Sequence, residues 1–144
     1  MALEQFRLDD HVAIVTGAGR GVGEGIAKVL AEAGATVVGT ARTSSEVDQT
    51  INAIREAGGK GLAITADALV REDSERVART AVDEFGKVDG VVSNAGILRD
   101  GTFHKMEFAN WDAVLKVHLY GGYNVIRAAW PHFRENGFGR VVVA

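Results

Sequence analysis

The feature that most constrains the fold of this chain is an apolar run that ends in a cluster of glycines. The run, residues 12–16, reads Val-Ala-Ile-Val-Thr, and a helical pattern begins at position 21. Glycines occupy four of the seven positions after the run: Gly17, Gly19, Gly21 and Gly23. The N–H groups and helix dipole at such a turn attract an anion, and glycines let a diphosphate approach the backbone without a Cβ clash. The stretch therefore predicts a strand, a phosphate-binding turn and a helix.

The spacing of these glycines distinguishes between two dinucleotide-binding patterns. The pattern Gly-x-Gly-x-x-Gly, started at Gly17, would need a glycine at position 22, where Val22 stands. The pattern Thr-Gly-x-x-x-Gly-x-Gly fits instead. It is formed by Thr16, Gly17, Gly21 and Gly23.

The rest of the chain alternates short apolar runs with helical periodicity. Strands are expected at 11–16, 36–40, 61–66, 88–93 and 140–143. Helices are expected at 21–33, 44–57, 73–85 and from about Asn110 to Arg134. Thr43 and Glu46 form a capping-box pattern at the start of the second helix. Strands that are apolar almost throughout belong to parallel sheets covered on both faces, so we expect an α/β, Rossmann-type doubly wound sheet in the order 3-2-1-4-5.

Composition narrows the class of protein further. The length of 144 residues indicates one domain, spanning residues 1–144, and no apolar run approaches the roughly 18 residues of a membrane helix. The net charge is −3, basic residues do not cluster, and there is no cysteine, so we expect no nucleic-acid partner, no membrane association and a cytoplasmic location. The histidines lack ligand spacing, which argues against a metal site: His11, His104, His118 and His132.

The end of the second strand indicates which nucleotide the turn would hold. An acidic residue there would accept hydrogen bonds from the free ribose 2′-hydroxyl of NAD, but the sequence has Arg42 and no acid. Arg20 lies within the glycine turn. Two guanidinium groups that converge on one ribose suit a 2′-phosphate, so NADP(H) is favoured over NAD(H). The alternative is that both arginines are ordinary surface charges.

Three motifs together resemble the short-chain dehydrogenase/reductase family over essentially the whole chain. They are Thr16-Gly17-x-x-x-Gly21-x-Gly23, Ala66-Asp67 and Ser93-Asn94-Ala95-Gly96. The resemblance implies that Asp67 contacts adenine and that residues 94–96 lie beneath the nicotinamide ribose. The cofactor-binding residues expected are Thr16, Gly17, Gly19, Arg20, Gly21, Val22, Gly23, Arg42, Asp67, Ala68, Asn94, Ala95 and Gly96. Two structural alternatives remain open: Asp67 would initiate the third helix, and Asn94 would be a turn asparagine in a left-handed conformation.

His118 occupies a position where the family usually has an asparagine that takes part in proton relay. The resemblance therefore implies a possible proton-relay role, because imidazole both donates and accepts hydrogen bonds. The alternative is a histidine buried between helix and sheet. The segments 117–119 and 128–133 are similar to the hydroxyacyl-CoA dehydrogenase portion of multifunctional β-oxidation enzymes, which implies a 3-oxoacyl or 3-hydroxyacyl thioester substrate. Those relatives generally use NAD, in conflict with the arginines.

The family's chemistry is hydride transfer between nicotinamide and a carbonyl or alcohol carbon, and its catalytic Ser and Tyr-x-x-x-Lys lie beyond strand five. Tyr120 and Tyr123 are followed four residues later by Asn124 and Arg127, so neither matches. We expect a domain that is incomplete at its C-terminus, truncated after strand five, with a cofactor site but no complete catalytic centre. The family commonly pairs subunits through the long helix, which implies a homo-oligomer. The alternative is a non-catalytic NADP-binding module or a fragment that needs a complementary chain.

Overall fold

A computed structural model describes residues 4–144, and its centre is a five-stranded parallel sheet. The strands are β1 (Val12–Thr16), β2 (Thr36–Ala41), β3 (Lys60–Thr65), β4 (Gly90–Ser93) and β5 (Arg140–Val143). Their order is β3-β2-β1-β4-β5, and all neighbouring pairs are parallel. This confirms the predicted Rossmann-type fold and the strand order 3-2-1-4-5.

Helices connect the strands and cover both faces of the sheet around β1 and β2, whereas β5 is exposed at every position. They are α1 (Gly21–Glu32), α2 (Ser44–Glu56), α3 (Arg71–Phe85), α4 (Phe108–Leu115) and α5 (Gly121–Asn136). A π-helical turn, Lys116–Tyr120, joins α4 to α5, and short 3₁₀ turns span Glu4–Phe6 and Phe103–Lys105. None of the helices in residues 4–144 combines the length and the apolar character that a membrane crossing requires.

Alternation along the strands creates one apolar core on each side of the sheet. In β1, Ile14 packs with residues of α3 and α5, while its neighbour Val15 packs with residues of α1 and α2. Both side chains are fully buried. Successive side chains of a strand point to opposite faces, so a strand covered on both faces is apolar at nearly every position.

Several details of the helices differ from the sequence-based expectation. The third helix begins at Arg71 rather than Asp73. The predicted helix from Asn110 to Arg134 is interrupted by the π-helical turn. The sequence did not predict this turn, because a single wider turn barely changes the apolar periodicity of a helix. The prediction of a capping box was wrong, because Thr43 is the N-cap residue but makes no side-chain cap hydrogen bond.

Hydrogen bonds to charged groups hold the amino edge of the sheet, where the strands begin. The carboxylate of Asp89, 6% exposed, accepts the backbone N–H of Val12 at 2.8 Å. Arg7 donates to the carboxylate of Asp9 and, at 3.1 Å, to the carbonyl oxygen of Glu32 at the end of α1. These contacts fix the segment before β1 and the start of β1 in place.

Candidate functional site

A groove of ≈ 280 Å³ opens at the carboxyl edge of the sheet. Its walls are the glycine turn after β1, the ends of β2, β3 and β4, and the first turn of α2. The lining residues are Gly17, Gly19, Arg20, Val22, Gly23, Thr40, Ala41, Arg42, Thr43, Glu46, Ala66, Asp67, Ala68, Leu69, Asn94, Ala95, Gly96, Ile97 and Val117. In the sheet β1 lies between β2 and β4, and the direction in which successive strands are added reverses between β3 and β4, so the groove lies at the topological switch point. In open α/β sheets, this crevice is where ligands bind.

The glycine turn has a conformation that requires its glycines. Gly17 and Gly21 have φ angles of +64° and +59°, a region that other residues rarely adopt. A Cβ at Gly23 would lie 2.0 Å from the carbonyl oxygen of Gly17, so no side chain fits there. The glycines therefore bring the start of α1 directly against the end of β1.

The N-terminus of α1 faces this groove without a side-chain cap. Its N-cap residue is Arg20, which makes no capping hydrogen bond and has no acceptor to offer. The N–H groups of the first helical turn lack partners within the helix and carry the positive end of the helix dipole. This arrangement fits a bound diphosphate.

A hydrogen-bond network joins the end of β4 to the glycine turn. The hydroxyl of Thr16 accepts the backbone N–H groups of Asn94 and Ala95, both at 3.0 Å. The side-chain amide of Asn94 donates to the carbonyl oxygens of Thr16 and Gly17, at 3.2 and 3.3 Å. Asn94 has no positive φ, so the left-handed turn alternative was wrong. Asn94 both lines the groove and fixes its shape.

The segment after β3 forms another wall. Asp67 Oδ1 accepts the backbone N–H of Leu69 at 2.9 Å, and the backbone N–H of Asp67 donates to Asp73 Oδ2 at 2.8 Å. This second bond, with a further contribution from Arg76, holds the pKa of the Asp73 carboxyl below its usual range. Because α3 begins at Arg71, Asp67 does not initiate that helix, and that alternative was wrong.

Arg20 and Arg42 flank one part of the groove. A Cβ at Gly19 would lie 3.3 Å from Ala41 Cβ. Arg20 follows Gly19 and Arg42 follows Ala41, so the two arginine side chains start from neighbouring points of the backbone. Both arginines are exposed, and neither forms a salt bridge within residues 4–144. Their guanidinium groups are available to an anionic ligand.

His118 lies in the π-helical turn, behind the segment that follows β4. Its Nε2 is 3.3 Å from the backbone nitrogen of Ile97 and 3.2 Å from the carbonyl oxygen of the same residue, so the tautomer decides whether it accepts or donates. A Cβ at Gly96 would lie 2.5 Å from His118 Cε1. The side chain is exposed, so the alternative of a histidine buried between helix and sheet was wrong.

All the cofactor-binding residues expected from the sequence line the groove except Thr16 and Gly21. Thr16 is buried beneath the groove, and Gly21 supplies a backbone conformation. The lining residues that were not among the expected cofactor-binding residues are Thr40, Ala41, Thr43, Glu46, Ala66, Leu69, Ile97 and Val117. Most of these lie next to strand ends, and that position alone could have identified them. Within residues 4–144 no three His, Asp or Glu side chains form a group that could hold a metal ion.

Comparisons with known proteins agree with this geometry. A short-chain type dehydrogenase/reductase of Mycobacterium tuberculosis is 55% identical over 146 residues, which cover 95% of this chain and 51% of the relative. The peroxisomal hydratase-dehydrogenase-epimerase of Neurospora crassa is 40% identical over 148 residues, 96% of this chain and 16% of that enzyme. The chain thus spans about half the length of the first relative and less of the second.

A solved structure also has the same fold as this chain. The crystal structure of a metagenomic short-chain oxidoreductase in complex with NADP superimposes with a TM-score of 0.84 and 34% identity, covering 93% of this chain and 61% of the other. The family model for short chain dehydrogenases matches residues 11–144. The chain therefore belongs to the short chain dehydrogenase family.

Proposed function

We propose that the groove binds a nicotinamide dinucleotide and that the protein works in an NAD(P)(H)-dependent oxidoreductase. The observation that carries this proposal is the uncapped N-terminus of α1, which faces the groove across the glycine turn. The chemistry that a bound dinucleotide would supply is hydride transfer to a carbonyl carbon or from an alcohol carbon of the substrate. The protein's own part is to hold and orient the dinucleotide.

Each wall of the groove would hold a different part of the dinucleotide. N–H groups of the glycine turn and of α1 would hold the diphosphate. Asp67 and Ala68 would lie against the adenine, with Ala68 held by Asn124, whose side-chain amide donates to the Ala68 carbonyl oxygen at 2.8 Å. Residues 94–96, fixed by Thr16, would form the floor beneath the nicotinamide ribose.

We infer that NADP(H) is preferred over NAD(H). Arg20 and Arg42 flank the groove beside the end of β2, where this fold places the adenosine ribose. Both guanidinium groups are free of carboxylate partners within the described residues and can form charge-assisted hydrogen bonds with a 2′-phosphate. The NADP complex of the related oxidoreductase supports this preference.

The substrate proposed is a 3-oxoacyl or 3-hydroxyacyl thioester. Support comes from the similarity of segments 117–119 and 128–133 to multifunctional β-oxidation enzymes and from the identity with the Neurospora enzyme. Residues 1–144 contain no Tyr-x-x-x-Lys motif, so we propose that they bind the cofactor without completing a catalytic centre. His118, exposed beside Ile97, is the proposed proton-relay position.

Self-association through α5 belongs to the same proposal. Tyr123 and Trp130 on this helix are 62% and 50% exposed, which gives a second copy of the chain apolar surface to contact. The partner in the reaction would be a small molecule. A cytoplasmic location stays a prediction.

Titration of the purified chain with NADPH and NADH, followed by cofactor fluorescence, tests the binding proposal. NADPH should bind more tightly than NADH. Arg20→Ala and Arg42→Ala should each weaken NADPH binding about tenfold or more, since a hydrogen bond to a charged group contributes roughly 1.5–3 kcal/mol. Arg79→Ala is the matched control, because Arg79 is exposed on α3 and does not line the groove.

The outcomes separate the alternatives. Absence of binding to either nucleotide rejects the cofactor site, whereas equal affinity for both rejects only the NADP preference. Mixing the chain with NADPH and a 3-oxoacyl thioester should give no loss of NADPH absorbance. Turnover in this assay would show that residues 1–144 contain a complete catalytic centre.

A further inference from the structure

We propose that Glu46 is a specificity-determining residue, whose carboxylate disfavours a phosphorylated ribose and so limits the preference for NADP(H) over NAD(H). This inference rests on the proposed binding of a nicotinamide dinucleotide in the groove. Glu46 would act against Arg20 and Arg42 rather than with them.

The placement of Glu46 carries the proposal. It lies in the first turn of α2, is half-buried, and lines the groove together with Arg42 and Thr43. A Cβ at Gly19 would lie 2.9 Å from Glu46 Cβ and 3.3 Å from Glu46 Oε2. The carboxylate therefore sits directly against the glycine turn that follows β1.

Neighbouring contacts hold this position. Thr50 Oγ1 lies 3.3 Å from the carbonyl oxygen of Glu46 and 3.5 Å from that of Gly19, within reach of donating to either. Val47 and Ile51 are fully buried in the core between α2 and the sheet. These contacts hold the first turn of α2, and with it Glu46, beside the groove.

The charges at this end of the groove oppose one another. Arg20 and Arg42 supply two positive charges, and Glu46 supplies one negative charge that no salt bridge neutralises within residues 4–144. A carboxylate accepts hydrogen bonds from a ribose hydroxyl and repels a phosphate dianion. The arginines favour the phosphorylated cofactor, and Glu46 favours the unphosphorylated one.

The ratio of the NADH and NADPH dissociation constants measures this balance. Glu46→Gln removes the charge but keeps the length of the side chain and its packing against Gly19. The ratio should rise about fivefold or more, a change of about 1 kcal/mol, mainly because NADPH binds more tightly. The rise should shrink at high salt, as expected for an electrostatic effect. Asp48→Asn is the matched control, since Asp48 is exposed on the same helix and does not line the groove.

A second measurement isolates the adenosine end. Calorimetric titration with adenosine 2′,5′-bisphosphate and with adenosine 5′-monophosphate should give the same change in ratio as the whole cofactors. An unchanged ratio in a folded Glu46→Gln variant, or an equal rise in Asp48→Asn, overturns the inference. If neither cofactor binds the wild-type chain, the proposed function itself fails. If the wild type prefers NADH, only the NADP preference fails, and the shift caused by Glu46→Gln is still required.

Discussion

The hydroxyl of Thr16 accepts the backbone N–H of Asn94 at 3.0 Å, which joins the carboxyl ends of the neighbouring strands β1 and β4. The same oxygen accepts the N–H of Ala95 at 3.0 Å. Thr16 is 5% exposed, so water cannot readily replace it as the acceptor. One buried oxygen atom therefore sets the position of the segment that forms the floor of the groove.

Replacing this hydroxyl by a methyl group should destabilise the protein. In Thr16→Val the side-chain shape is kept, but two backbone donors lose their acceptor, and the free energy of unfolding should fall by about 1–3 kcal/mol. Thr16→Ser keeps the oxygen and should retain most of the stability. Urea unfolding followed by circular dichroism measures both. Equal stability of Thr16→Val and wild type would mean that the two N–H groups find other acceptors.

Two glycines in the first turns of α1 should respond to alanine in opposite directions. In Gly23→Ala the new Cβ would overlap the Gly17 carbonyl oxygen, so the turn must open, at a cost of about 3 kcal/mol in unfolding free energy and with weaker cofactor binding. At Gly25, exposed in the same helix, a Cβ meets nothing within 4 Å. Gly25→Ala should stabilise the protein by about 0.5–1 kcal/mol. Thermal unfolding compares the pair, and destabilisation by both would contradict the prediction.

Gly96 and His118 should be energetically coupled. In Gly96→Ala the imidazole must move away, which ends its contact with Ile97 and should weaken NADPH binding. Adding His118→Ala makes room for the new methyl group, so part of the lost affinity should return. The double-mutant cycle should give a coupling of at least about 0.5 kcal/mol between the two substitutions. Strictly additive effects would show that the imidazole does not restrict position 96.

The pH dependence of stability should contain a contribution from Asp73. The hydrogen bond from the Asp67 backbone, and then Arg76, hold its pKa below the ordinary value of 3.8, while burial acts in the opposite direction. A depressed pKa in the folded state stabilises the protein fully above pH 3.8, and this stabilisation is lost as pH falls through the folded pKa. Asp73→Asn should therefore be less stable than wild type near neutral pH, and the difference should narrow in acid.

Urea unfolding between about pH 3 and pH 7 measures this difference. Asp83→Asn is the control, because Asp83 is exposed on the same helix. Its difference from wild type should stay small across the range. A gap between Asp73→Asn and wild type that stays constant down to the lowest pH would rule out the charge of Asp73 as the cause.

The sheet could be predicted from the sequence because its pattern is local. Strands buried on both faces must be apolar at nearly every position, and this pattern identifies β1, β2 and β4 in the sequence. The glycine turn after β1 was predicted equally well from the spacing of its glycines, whereas the left-handed conformations of Gly17 and Gly21 are seen only in the structure. The π-helical turn at Lys116–Tyr120 was not predicted, because its one wider turn barely changes the periodicity of the surrounding helix.

Glu46 shows why part of the site could not be predicted. In the sequence it stands three residues after Thr43, a spacing typical of a capping box. In the fold its side chain packs against Gly19 instead, a contact between residues that the sequence separates by a strand and a helix. The spacing of residues in the sequence does not determine which of these two positions the Glu46 side chain takes, because that depends on how α2 packs beside the glycine turn.

The contacts of Asp89 with Val12, and of Arg7 with Asp9 and Glu32, lie at the end of the strands opposite to the groove. A strand of five residues separates the two edges by roughly 16 Å. Attachment chemistry at that far edge would leave the groove unobstructed. A chain tethered there to a bead or an electrode should keep its cofactor-binding face directed towards the solution.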